Sequence, residues 1–186
     1  MVKQVLKSLA AGLVGAALFA VLPVAADKHD NVLLLELKSG RVVIEMRPDL
    51  APVHVARIKE LVREGFYDGV KFHRVIDGFM AQSGDPTGTG QGGSQLPDLE
   101  EEFNPLPHVR GTISMARGSD ENSANSQFFI CFADSSFLDG QYTVWGKVKD
   151  GMEHVDQIKL GSSSNNGAVK DPDSIVSLKV AADVDE

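Results

Sequence analysis

Short apolar runs punctuated by Gly and Pro recur along this chain, and only two stretches space their apolar residues as a helix does. Residues 31–37 and 41–46 are apolar-rich and separated by Lys38-Ser39-Gly40, which predicts a hairpin. Over residues 52–64, Val55, Ile58, Leu61 and Val62 recur at helical spacing, and Gly65 supplies a stop. Residues 71–76 and 79–82 predict two strands hinged at Asp77-Gly78. Residues 84–107 carry little periodicity and many Gly and Pro, so a long loop is expected, of the kind that is functional or disordered in compact domains. Residues 111–115, 127–132 and 142–148 read as three further strands. Residues 151–159 predict a second short helix with Met152, Val155 and Ile158 on one side, and Asn165-Asn166-Gly167 a turn. Residues 174–181 alternate Ile175, Ser177 and Lys179 against Val176, Leu178 and Val180, as a last strand should.

That makes about eight strands and two helices. The connections are too short for repeated strand–helix–strand units, so the sheet is expected to be antiparallel. A strand at each end of the domain suggests closure into a barrel, which removes exposed edges. No repeat, linker or second domain is visible.

The first 26 residues are set apart from this pattern. Lys3 and Lys7 form a basic start, residues 9–22 are an uncharged apolar stretch of 14, and Val24-Ala25-Ala26 fits a small-residue cleavage site. The stretch is short of the roughly 20 apolar residues a spanning helix needs. Residues 1–26 are therefore expected to be a cleaved export signal and residues 27–186 one domain, with no membrane association after cleavage. All 26 acids lie in that domain, against 16 of the 18 bases, a net charge of −10 with His neutral. An acidic chain without a basic stripe argues against nucleic acid and against an anionic membrane surface. Cys131 is the only cysteine, so no internal disulfide can form; it falls within an aromatic run and reads as a buried thiol.

Several chemistries are excluded by context. Gly88-Thr89-Gly90-Gln91-Gly92-Gly93 fits a dinucleotide fingerprint by letter, but Pro86 precedes it, Pro97 follows it and no helix begins there. The five histidines lack close metal-ligand spacing, and Glu100-Glu101-Glu102 reads as a solvated charge run. What remains is an arginine, two amides and large apolar side chains around residues 72–85 and 126–132. Such a set has no nucleophile and no evident proton carrier. It can hold something apolar and donate hydrogen bonds to it.

These residues resemble the cyclophilin family of peptidyl-prolyl cis-trans isomerases. The resemblance is carried by Phe72-His73-Arg74, Gly78-Phe79-Met80, Gln82, Gly84-Asp85, Ser114-Met115-Ala116, Ser126-Gln127-Phe128-Phe129-Ile130 and Phe137-Leu138-Asp139-Gly140, in order and at compatible spacing. Met115-Ala116-Arg117 and Phe137 look like the exported bacterial members, which implies a periplasmic location. The resemblance implies a mainly β fold, a closed eight-stranded antiparallel β-barrel capped by two α-helices. It implies that Arg74 is the catalytic arginine, that Gln82 braces it and bonds the substrate backbone, and that Phe79, Met80, Phe129 and Leu138 form the proline pocket. Gln127 and Ala116 then line the adjacent groove, and Arg117, at a position the family uses through its backbone, Phe137 and Tyr142 complete the substrate-binding set. Where Phe137, Tyr142 and Arg117 stand, well-known eukaryotic members carry Trp, His and Asn, so cyclosporin is expected to bind weakly. The expected substrates are proline-containing polypeptides folding outside the cytoplasm, turned over by a monomer without cofactor or metal. His73 is expected to be a packed structural histidine and Trp145 core. A proline-peptide binding module without turnover is the alternative reading.

Overall fold

The computed structural model describes residues 29–184; the expected export signal lies outside them. The strands are β1 (Val32–Leu37), β2 (Gly40–Met46), β3 (Arg74–Ile76), β4 (Met80–Ser83), β5 (Thr112–Met115), β6 (Phe128–Cys131), β7 (Val144–Asp150) and β8 (Ser177–Val180). Two helices accompany them, α1 (Pro52–Arg63) and α2 (Met152–Val155). One antiparallel sheet runs in the order β3-β4-β6-β5-β7-β2-β1-β8. It curls around a core that includes Leu33, Leu35, Ile44, Ile113, Phe128, Ile130 and Trp145.

The local signals explain most elements. Leu37 pairs with Gly40 across a two-residue turn, closing the β1–β2 hairpin. In α1 the spaced residues Val55, Ile58, Leu61 and Val62 are all buried. Beyond it Gly65 takes φ +70, its N–H bonds the Val62 carbonyl, and Phe66 N–H bonds that of Leu61. This paired arrangement satisfies the last carbonyls and needs a left-handed residue that glycine supplies without strain.

The sheet is an open half-barrel, not the closed barrel expected. β3 and β8 are its two edges and do not pair. The reason lies in the backbone bonds made by β3. Val75 N–H bonds Gly167 O, Gly161 N–H bonds Val75 O, and Val169 N–H bonds His73 O, so loop 161–169 occupies the edge that β8 would need. Only residues 69–72 reach residues 173–175, through bonds such as Phe72 N–H to Asp173 O and Ile175 N–H to Val70 O. This also corrects the alternation expected in the last strand. Ile175 pairs toward Val70 while Val176 N–H turns to Glu36 O on β1, so Ile175 is buried and Val176 is 59% exposed.

Other boundaries shift similarly. The strand expected over 71–76 begins at Arg74, and that over 142–148 at Val144. The second helix stops at Val155 because Gln157 and Ile158 N–H bond three residues back instead of four. Glu102, expected to be merely solvated, caps α1 from a distance. Its carboxylate accepts the N–H of Val53 (3.0 Å) and of His54 (2.9 Å), and lies 2.6 Å from His54 Nδ1. Ala51, which opens α1, offers no such side chain.

Glu102→Ala is expected to cost about 1–3 kcal/mol, because it leaves two helix donors and a buried imidazole N–H unpaired. Burial raises the Glu102 carboxyl, but the bonds from His54 and Val53 outweigh it and hold it below the ordinary 4.5. Its stabilisation is thus present above about pH 4.5 and lost as pH falls through the folded value. Burial pushes His54 below its ordinary 6.5, against the Glu102 bond that raises it, so the fold also loses stability as pH falls below 6.5. Urea melts of wild type and Glu102→Ala from pH 8 down to pH 3 should show the gap closing only below about pH 4.5, where the carboxylate takes up its proton.

Candidate active site

Arg74 on β3 stands opposite Gln82 on β4, and Gln82 opposite Phe129 on β6. Paired residues share a face and neighbours along a strand alternate. Val75, Ala81, Phe128 and Ile130 therefore enter the core, while Arg74, Met80, Gln82, Phe129 and Cys131 face outward. On that outer face Met80, Phe129, Cys131 and Leu138 form a second apolar cluster, with Ile76, Phe79, Ala116 and Tyr142 against it. Leu138 comes from a short 3-10 turn, Ser136–Leu138.

A cavity of about 100 Å³ opens over this cluster, lined by Arg74, Phe79, Met80, Gln82, Arg117, Phe129, Leu138 and Tyr142. A larger one of about 460 Å³ shares Gln82 and Arg117 with it and adds Ala116 and Gln127. Phe137 lines neither cavity. It is 65% exposed and leans on Phe79, ring centroids 5.4 Å apart.

The polar groups form one directed chain. Arg74 Nη1 donates to Gln82 Oε1 (3.1 Å), Gln82 Nε2 to Gln127 Oε1 (2.9 Å), and Gln127 Nε2 to the carbonyls of Gly90 (3.1 Å) and Gly92 (2.8 Å). A guanidinium can only donate and a carbonyl only accept, so the two ends fix both amides. The glycine-rich run thus has a use, as a source of acceptors. Asp85 holds that loop: its carboxylate takes the N–H of Thr87 (2.7 Å), Thr89 (3.0 Å) and Gly90 (2.6 Å). Burial raises the Asp85 carboxyl, yet the bonds from Thr87, Gly92 and Gly90 outweigh it and keep it well below the usual carboxylate range.

Two contributors escaped sequence reading. Asn166 accepts Arg74 Nε on its carbonyl (3.0 Å) and Arg74 Nη2 on Oδ1 (3.0 Å), with its backbone at φ +48. The Asn-Asn-Gly turn was legible as a turn, but nothing in the sequence placed it beside β3. His108 is fully buried behind Phe129, ring centroids 6.1 Å apart, with Nδ1 2.8 Å from Asp139 and Nε2 3.1 Å from Ser114. It bore no spacing signal. His73 and Trp145 are buried, as expected. Burial pushes the Cys131 thiol up to about 12, so it stays protonated and inert. Among the described residues no group of three His, Cys, Asp or Glu could hold a metal ion.

Residues 32–180 match the family model of cyclophilin type peptidyl-prolyl cis-trans isomerase/CLD. The chain belongs to the cyclophilin family. It is a peptidyl-prolyl cis-trans isomerase, as its relatives are named. A probable peptidyl-prolyl cis-trans isomerase of Brucella suis biovar 1 is 54% identical, with 94% of each chain covered. The peptidyl-prolyl cis-trans isomerase of Helicobacter pylori is 43% identical over 68% of this chain and 79% of its own. Among solved structures, the cyclophilin AquaCyp293 from Hirschia baltica superposes with a TM-score of 0.75 at 31% identity, covering 84% of this chain and 76% of that one. A Cryptosporidium parvum cyclophilin, solved in the presence of the dipeptide Ala-Pro, gives 0.74 at 30% identity over 80% of this chain and 98% of its own. This cyclophilin therefore carries its outward cluster on the same curled sheet as those neighbours.

Proposed function

We propose that the smaller cavity seats the proline ring of an X-Pro segment and that Arg74 accelerates rotation about the bond before it. The observation that carries this reading is the directed amide chain ending on Arg74 at the wall of an apolar cavity. An X-Pro bond turns over unaided in tens to hundreds of seconds, because twisting breaks amide resonance. As it twists, the proline nitrogen regains a lone pair. A donor aimed at that nitrogen stabilises the twisted state and not the planar one, which lowers the barrier. Arg74 can serve as that donor throughout the physiological range, since burial lowers its pKa from the ordinary arginine value but a guanidinium stays charged. Gln82 holds it and offers its amide to the substrate backbone. Phe79, Met80, Phe129, Leu138 and Tyr142 receive the ring. Ala116, Arg117 and Gln127 border the flanking peptide, with Phe137 at the rim.

The reaction needs only binding energy directed to the twisted amide, so it calls for no nucleotide and no metal. Exchange spectroscopy on an Ala-Pro peptide with purified protein is expected to show acceleration that persists in chelator. Binding without acceleration would favour the binding-module reading instead.

We further propose that the chain works as a monomer on proline-containing polypeptides outside the cytoplasm, in the periplasm. The basic start, uncharged stretch of 14 and Val24-Ala25-Ala26 support this. N-terminal sequencing of protein from fractionated cells should read a start near Asp27; an intact Met1 in the cytoplasmic fraction would sink the export reading.

Weak cyclosporin binding is expected to tighten on Phe137→Trp. The indole adds one N–H donor, and the exposed position leaves room for it. One hydrogen bond contributes about 0.5–1.5 kcal/mol, roughly three- to tenfold in Kd. Equal affinities by calorimetry would reject this account.

A further inference from the structure

Five of the seven arginines pair with a carboxylate: Arg41 with Glu36, Arg47 with Asp49, Arg57 with Glu60, Arg63 with Asp30 and Asp183, and Arg110 with Asp156. Among the described residues Arg74 and Arg117 have no such partner, and these two line the smaller cavity. Arg74 is occupied by neutral acceptors on Gln82 and Asn166. Arg117 donates to the carbonyls of Gln141 (2.9 Å) and Gly118 (3.0 Å), and its guanidinium lies 4.7 Å above the Tyr142 ring. No carboxylate lines the smaller cavity. The larger one holds Asp98, whose Oδ1 already accepts from Asn125 Nδ2 at 2.9 Å.

The binding surface of a chain with net charge −8 is therefore locally cationic. Across the two cavities two guanidiniums face one carboxylate, Asp98, and charges farther off than about 8 Å are largely screened at physiological salt. Arg117 lines both cavities, so a peptide with its proline in the smaller one and its flank in the larger one passes this side chain. Held by stacking and by carbonyls, Arg117 can take a carboxylate with little ordering of its own.

We infer that this isomerase prefers X-Pro segments with an acidic side chain next to the proline, and that Arg117 is the residue that selects them. The inference rests on the proline occupying the smaller cavity. The test uses peptides capped at both ends, so that no terminal carboxylate competes, with Glu, Gln or Lys placed just before the proline and, in a second set, just after it. Exchange spectroscopy gives kcat/KM for each. At one of the two positions Glu is expected to exceed Lys by roughly three- to tenfold, with Gln between, as a half-exposed ion pair would produce. The ratio should shrink in 0.5 M salt, where the screening length is a few ångströms, on the order of 4 Å. Arg117→Gln should bring it below about twofold, while Arg117→Lys should keep most of it. The Gln peptides separate the two readings. If they turn over but Glu and Lys stay alike at both positions, or if the preference survives Arg117→Gln unchanged, the inference is overturned alone. If no peptide turns over, the placement of the proline falls with it.

Discussion

Replacing Arg74 by alanine is expected to lower kcat/KM by about a hundred- to a thousandfold, the usual cost of one well-placed donor to a developing charge, while the protein stays folded. The fold should survive because Arg74 lies on the outer face of an edge strand, half-buried, and its side chain bonds only Gln82 and Asn166. Those acceptors can take water in its place, so the stability cost should be about 1 kcal/mol or less. Arg74→Lys is expected to recover little, since a single ammonium cannot serve Gln82, Asn166 and the proline nitrogen from the same position. Exchange rates on an Ala-Pro peptide, with circular dichroism as the control on folding, decide the matter. Activity within threefold of wild type in a folded Arg74→Ala protein would remove Arg74 from the mechanism.

A large stability effect is expected from Gly84→Ala. Gly84 directly follows β4 at φ +92, and a Cβ there would meet the Ser126 carbonyl oxygen at 2.3 Å and Gln127 Cα at 2.7 Å. Both obstacles are backbone, so neither can swing aside. The left-handed conformation alone costs about 1–2 kcal/mol for a non-glycine residue. Forcing β4 and the start of β6 apart should bring the total to about 3 kcal/mol or more. In a domain of this size that lowers Tm by roughly 10 °C. Gly69 is the natural control: its φ is +82, but nothing lies within 4 Å of an added Cβ, so Gly69→Ala should cost only the conformational part. Equal Tm losses in the two variants would refute the backbone-crowding argument. Activity in Gly84→Ala should fall further than unfolding accounts for, because Gln127, which orients Gln82, sits at the point being displaced.

Which elements could be read from sequence follows from the range of the interactions that make them. The β1–β2 hairpin and α1 were legible because their determinants are local: a two-residue turn, a 3.6-residue apolar period and a glycine stop. β4 and β6 were legible for a less obvious reason. Both faces of this part of the sheet are largely apolar, the inner with Ala81, Phe128 and Ile130, the outer with Met80, Phe129 and Cys131, so β6 reads as a continuous apolar run and β4 as the shorter run Phe79-Met80-Ala81 ending at Gln82. The same run contains the candidate site, and the motif around Arg74, Gln82, Gln127 and Phe129 pointed to the family before any geometry.

Sequence by itself thus determined the inventory: an antiparallel β domain, an arginine–amide–aromatic set and the isomerase family. Only the tertiary structure decided how the ends meet and what holds the arginine. Whether β8 or loop 161–169 takes the free edge of β3 depends on which backbone groups arrive there in space, across some ninety residues of chain, and no local preference encodes it. The loop's arrival leaves the sheet open and carries Asn166 to Arg74; the same long-range logic brings Glu102 to the start of α1 and His108 behind Phe129. Periodicity records which face of its own element a residue occupies, whereas these contacts depend on where two distant elements cross, and that is fixed only when the whole core packs.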